Sequence, residues 1–123
     1  MILFDTSVLI AHLRGEPRAT ELLLGTPSPE RLASVLARIE IEGGMRSGER
    51  DKIGALFTVL RMMPVTDAVA RRAGEHLRTY RRSHTGIDLV DYAVAATAEL
   101  NGARLATLNV KHFPMFPGLR AAW

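Results

Sequence analysis

The sequence predicts an α/β domain on a mainly parallel sheet. Short runs of strand character (Met1–Phe4, Leu32–Val35, Met62–Val65, Arg104–Thr107) alternate with longer segments of helical periodicity, the order expected when helices carry the chain between parallel strands. The 123 residues are 47% apolar, enough for one core and one domain spanning residues 1–123. Repeats and low-complexity stretches are absent, and Pro and Gly fall singly or in tight turns without forming a linker.

Met1–Phe4 is fully apolar and opens the chain as a strand. Thr6–Arg14 follows as a helix, stopped near Gly15 and Pro17, with a second helix over Arg18–Leu24. Gly25–Pro29 reads as a loop. Leu32–Val35 is the second strand, and a helix continues from it through Met45. Gly48 breaks the pattern before a helix over Asp51–Arg61. After the strand Met62–Val65, Asp67 is the expected cap of a helix to Ser83. Its apolar face is Val69, Ala73, Leu77 and Tyr80, and Arg71, Arg72, Arg78, Arg81 and Arg82 line its other side. Leu89–Leu100, rich in alanine and aliphatics, is the expected buried helix, ended by Gly102. Arg104–Thr107 is the fourth strand, and the tail Phe113–Trp123 either adds an edge strand near Leu119 or packs on the surface.

Composition narrows the chemistry. There is no cysteine, which excludes disulfides, zinc–thiolate sites and thiol nucleophiles. No apolar run approaches the roughly 20 residues of a bilayer span, and Asp5 interrupts the opening run at once. A cytoplasmic protein with no membrane partner is the expectation. Formal net charge is +3, and Lys52 and Lys111 are the only lysines. Arginine, whose planar fork matches phosphate, therefore carries the positive charge and hints at a polyanionic partner.

The acids carry the functional signal. Asp5 closes the first strand, where ligands of open α/β sheets gather, and Thr6 and Ser7 add hydroxyls; a helix cap is the competing explanation. Asp88 and Asp91, three residues apart, share one face in the first turn of the buried helix. They read equally as a capping arrangement or as a site. In Arg38-Ile39-Glu40-Ile41-Glu42, Glu42 has Arg38 and Arg46 four residues to either side, whereas Glu40 has no such partner and is the better functional candidate. Thr107 and Asn109 lie just past a strand end, placed to orient water or an acid, or to make an ordinary turn. In a parallel sheet, strand C-termini and following helix N-termini share an edge, so Asp5, Glu40, Asp88 and Asp91 are expected to converge there. An all-oxygen cluster suits Mg²⁺, with Mn²⁺ as a substitute, and such ions support displacement at phosphorus.

These segments resemble a known family. Met1-Ile-Leu-Phe-Asp5-Thr-Ser-Val-Leu-Ile10 is similar to the first strand and leading acid of PIN-domain nucleases, and Ser34-Val-Leu-Ala-Arg-Ile-Glu40 with Gly44-Met45-Arg46 to the segment bearing their glutamate. Asp91-Tyr-Ala-Val-Ala-Ala-Thr-Ala98 resembles their buried helix. Thr107-Leu-Asn109, His112-Phe113 and Pro117-Gly118-Leu119 resemble their closing segment. The match runs in order along the whole chain and looks like the VapC-type toxins of bacterial VapBC toxin–antitoxin pairs.

The resemblance implies a three-layer α/β/α sandwich around a mainly parallel sheet of about four or five strands. It also implies Mg²⁺-dependent endonucleolytic cleavage of RNA to 5′-phosphate and 3′-hydroxyl ends, a homodimer, and a small VapB-like antitoxin that blocks the site. Asp5, Glu40 and Asp91 match the family's core acids. Many relatives carry an aspartate where Asn109 stands, and Asp88 is the candidate for the missing charge. Thr6, Ser7, Thr107 and Asn109 would orient acids and waters around the metal, and arginines at the rim would hold the RNA backbone.

Other features read as structural. His112 beside Phe113 is expected to be a packed or surface histidine, and His12, His76 and His84 show no ligand spacing. The arginine run within Arg71–Arg82 reads as a solvated face, with RNA or antitoxin contact as the alternatives. A two-component receiver domain would need a phospho-accepting aspartate closing a central strand; the nearest candidate, Asp51, lies in the polar run Gly48–Lys52 with no strand before it. A non-catalytic PIN-like module that binds RNA or protein would keep the fold without cutting.

Overall fold

A computed structural model describes all residues, Met1–Trp123. The strands are β1 (Ile2–Phe4), β2 (Arg31–Ser34), β3 (Arg61–Met63) and β4 (Arg104–Ala106), and the helices are α1 (Thr6–Leu13), α2 (Pro17–Gly25), α3 (Val35–Gly43), α4 (Arg50–Thr58), α5 (Asp67–Tyr80) and α6 (Leu89–Leu100). The sheet has the order β3-β2-β1-β4, and every pairing is parallel. Leu3 of β1 lies in register with Leu32 of β2 and Leu105 of β4.

Side-chain alternation on these strands produces the sandwich. Successive strand residues point to opposite faces. Leu3, Leu32 and Leu105 enter a core with Val94, Ala95 and Ala98 of α6 and with Phe113, whereas Phe4, Ala33 and Ala106 enter a second core with residues of α1 to α4. Both faces are covered, as a parallel sheet requires. The predicted α/β/α architecture is therefore present, with four strands.

The elements follow the sequence closely, and the departures have physical causes. α4 stops at Thr58 instead of reaching Arg61, because Arg61 and Met62 align with Leu32 and Ala33 in the sheet. α3 ends at Gly43, short of Met45. Within the expected loop, Ser28–Glu30 forms a single 3-10 turn. The tail adds no strand: Ala122 donates one backbone hydrogen bond to the Thr107 carbonyl at 2.9 Å, and Arg18 stacks over Trp123. Nor is Asp67 the cap of α5. Thr66 caps it, its hydroxyl accepting from the Val69 amide at 3.2 Å, while Asp67 pairs with Arg71 in solvent.

α6 matches its predicted span, and Tyr92 to Ala98 are all buried. Its small residues allow close approach of α5, with Val69 packed against Ala93 and Ala96. The two helices are further joined by His76, 5% exposed, which contacts Glu99, itself bonded by Arg72 at 2.8 Å. His76 is thus the buried end of a clamp that reaches the surface at Arg72, a role that spacing along the chain does not reveal. Gly102 at φ +61° then turns the chain from α6 into β4.

Loss of the true cap is expected to be felt and loss of the apparent one is not. Thr66→Ala should cost about 1 kcal/mol in urea denaturation, and Asp67→Ala, which removes only an exposed ion pair, less than about 0.5 kcal/mol.

Candidate active site

The parallel sheet places the C-termini of its strands on one edge. Asp5 follows β1, Ser34 ends β2 and Thr107 follows β4. α6 ends beside the start of β4, where Ala103 bonds back to Ala98 and Arg104 bonds to Met1. Its first turn, with Asp88 and Asp91, therefore lies at the opposite edge, with Asp5 and Thr107.

Asp5 occupies the backbone position of an α1 cap, but its side chain does not cap the helix. It is 6% exposed, and its Oδ2 accepts the hydroxyls of Ser7 at 2.9 Å and Thr107 at 2.8 Å. Both hydroxyls also accept a backbone amide, Ser7 from Leu108 and Thr107 from Asn109. Each has one proton, and in both cases Asp5 receives it. The buried carboxylate is held by directional bonds from two chain regions about one hundred positions apart. The side-chain amide of Asn109 has no partner within the protein.

Thr6, the first residue of α1, donates its hydroxyl to Oε1 of Glu40 at 2.9 Å, joining α1 to α3. Glu42 points elsewhere and pairs with Arg38 at 3.5 Å. Asp88 and Asp91 form a reciprocal capping box: the Asp91 amide donates to Asp88 Oδ1 at 3.0 Å, and the Asp88 amide to Asp91 Oδ2 at 3.1 Å. His112, read from sequence as a bystander, sets its Nδ1 3.3 Å from Asp91 Oδ2. The only local hint of this contact is that His112 precedes Phe113, 1% exposed, just after a strand end.

The four acids influence one another. Burial pushes the Asp91 carboxyl up to about 6 from an ordinary 3.8; the Asp88 amide and His112 oppose the rise, and the charges of Asp88 and Asp5 add to it. Glu40 is raised by burial, opposed by the Thr6 hydroxyl and reinforced by the charges of Asp5 and Asp88. No lysine or arginine pairs with any of the four.

Each of these acids has one oxygen held by a protein donor and one with no protein donor: Oδ1 of Asp5, Oε2 of Glu40, Oδ2 of Asp88 and Oδ1 of Asp91. No buried side-chain oxygen lacks a partner, so these free oxygens reach solvent. No three Asp, Glu or His side chains are gathered tightly enough to enclose an ion as they stand. The donor set itself suits a hard divalent cation: oxygen only, like-charged and without a lysine or arginine beside it.

Comparison with known proteins places this arrangement in context. Residues 2–114 match the model of the PIN domain. The chain is 50% identical over 121 residues to Ribonuclease VapC10 of Mycobacterium tuberculosis, covering 98% of this chain and 91% of that protein. It is 47% identical over 122 residues to Ribonuclease VapC19 of the same organism, covering 98% of both. Among solved structures, a toxin–antitoxin complex from Klebsiella pneumoniae superposes with a TM-score of 0.84 at 23% identity, covering 100% of this chain and 98% of that one. VapBC-1 from nontypeable Haemophilus influenzae gives 0.74 at 25% identity, covering 92% and 90%. The Klebsiella likeness is one of fold.

The raised Asp91 carboxyl has a consequence for stability. The folded state binds this proton more tightly than the unfolded state, so its contribution is full below pH 3.8 and is lost as pH rises through about 6. Above that, the ionised carboxylate burdens the metal-free fold. Asp91→Asn keeps an acceptor for the Asp88 amide and removes the charge. Allowing for partial solvent access, it should raise stability at about pH 7.5 in EDTA by about 1–2 kcal/mol, read from urea midpoints. The difference from wild type should vanish at about pH 4.

Proposed function

The chain belongs to the PIN-domain family, and on that footing we propose that it is an Mg²⁺-dependent endoribonuclease, the toxin half of a VapBC-type toxin–antitoxin pair. The observation that carries this reading is the set of four acids, each anchored through one oxygen with the other open to solvent. Asp5, Glu40, Asp88 and Asp91 would hold the metal, directly or through water. When bound, Mg²⁺ or Mn²⁺ would supply positive charge at the scissile phosphate and make a neighbouring water more acidic.

The protein's own residues prepare that step. Ser7 and Thr107 fix Asp5, Thr6 fixes Glu40, and the capping box fixes Asp88 and Asp91. A carboxylate pinned at one oxygen presents the other in a set direction and loses little freedom on binding. Water then attacks phosphorus, the bond from phosphorus to the 3′ oxygen breaks, and that oxygen leaves with a proton as a 3′-hydroxyl. The new end is a 5′-phosphate. Arg78, Arg81 and Arg82, which make no ion pair within the chain, lie six to ten positions before Asp88 and would hold the RNA backbone.

The partners follow from the same reading. The curated relatives are named ribonucleases, and the similar structures include toxin–antitoxin complexes, which supports RNA as substrate and a VapB-like antitoxin as partner. Leu89 and Ile39 are 71% and 68% exposed next to Asp88 and Glu40, and Leu89 lines an apolar cleft with Leu36, Val65 and Leu77. We assign this face to the homodimer. No helix is long and apolar enough to cross a membrane.

Cleavage of total bacterial RNA with Mg²⁺ tests the reading. Wild type should give discrete fragments with 5′-phosphate ends, EDTA should abolish them, and excess Mg²⁺ or Mn²⁺ should restore them. Asp5→Asn should lower the rate by at least about a thousandfold, on the scale of losing a charged group that acts in the transition state, with an unchanged circular dichroism spectrum. RNA binding without cutting would instead mark a non-catalytic module. Separately, Leu89→Glu should shift the protein from dimer to monomer in light scattering.

A further inference from the structure

Beyond the acids, the chain that leaves β4 forms a ledge on which the side chains of Asn109 and Lys111 have no partner within the protein. Thr107 is buried and tied to Asp5. The Asn109 amide bonds to the Thr107 hydroxyl, Val110–His112 makes a 3-10 turn, and buried Phe113 anchors its far end. Between these fixed ends, Asn109 and Lys111 are exposed and His112 is half-buried. With Leu108 and Val110 they line a cleft of about 320 Å³. The Asn109 side-chain carboxamide has no hydrogen bond, unlike its backbone amide, and Lys111 has no acidic partner. The Nδ1 of His112 stands 3.3 Å from Asp91, so the cleft shares a wall with the acid site.

The geometry points to this ledge as a nucleotide subsite of single-stranded RNA, holding the nucleoside next to the scissile phosphate; the assignment rests on the nuclease reading. Three chemistries meet there in the combination that unpaired RNA bases are read by. An imidazole ring offers a stacking surface. A free carboxamide offers a donor and an acceptor to a base edge. A lysine offers charge to the adjoining phosphate. A backbone fixed at both ends means that binding orders only the side chains and not the chain that carries them.

Two measurements test the subsite. The first is fluorescence anisotropy of a short single-stranded RNA in EDTA, where cutting is absent. The second is the cleavage preference of the Mg²⁺-loaded protein on a randomised RNA. His112→Ala should weaken binding about tenfold, the scale of one lost base stack, and His112→Phe, which keeps a ring, should restore most of it. Asn109→Ala should broaden the preferred base at one position beside the cut, a change that a merely structural defect would not produce. Lys111→Ala should weaken binding equally for all sequences and flatten its salt dependence. If wild type cleaves but these variants keep its affinity and preference, the subsite is overturned and the nuclease reading stands. If wild type fails to cleave yet its RNA binding depends on His112 and Asn109, the nuclease reading falls and the placement beside a scissile phosphate falls with it.

Discussion

The site depends on hydroxyl groups that hold carboxylates against their own repulsion. Asp5 is nearly buried and has no cationic partner, a costly position for a negative charge. Two hydrogen bonds, from Ser7 and Thr107, offset that cost, and the same bonds fix where its second oxygen points. Thr6 does the same for Glu40. Hydroxyls suit this role because they donate without adding charge. A lysine or arginine in their place would neutralise the acids and remove the attraction for a divalent ion.

The same economy explains the dual character of Asp88 and Asp91. As a capping box they start α6, satisfying amides that would otherwise be unpaired. The alternatives open at the level of sequence, a cap or a site, do not exclude each other, because a carboxylate has two oxygens and the cap uses one. The raised Asp91 carboxyl records what this arrangement costs the fold. That tension between stability and a concentration of like charge is common where a protein prepares to bind a cation.

Much of this architecture was legible in the chain. α6 could be bounded to the residue because alanines, a leading acid and Gly102 all agreed. The position of Asp5 followed from its place at the end of a strand in a parallel sheet, and the pairing of Glu42 with an arginine four residues away is present, with Arg38. The contacts that escaped detection are those between side chains far apart in sequence. Thr6 with Glu40, His112 with Asp91, and His76 with Glu99 leave no local periodicity to read. At Thr66 and Asp67, two good capping residues are adjacent, and only backbone geometry decides between them.

The position of β1 inside the sheet has a temporal consequence. Of the four strands, β1 is made before the others yet lies inside the sheet, and its outer neighbour β4 is built from residues 104–106. The Thr107 hydroxyl that seats Asp5 lies later still. A nascent chain missing that portion carries all four acids yet has only Ser7 of the two hydroxyls that seat the first of them. Closure over so long a separation is also entropically slow. The site is therefore completed only once Thr107 has been made, and a product broken off before it would carry the acids without the assembled site.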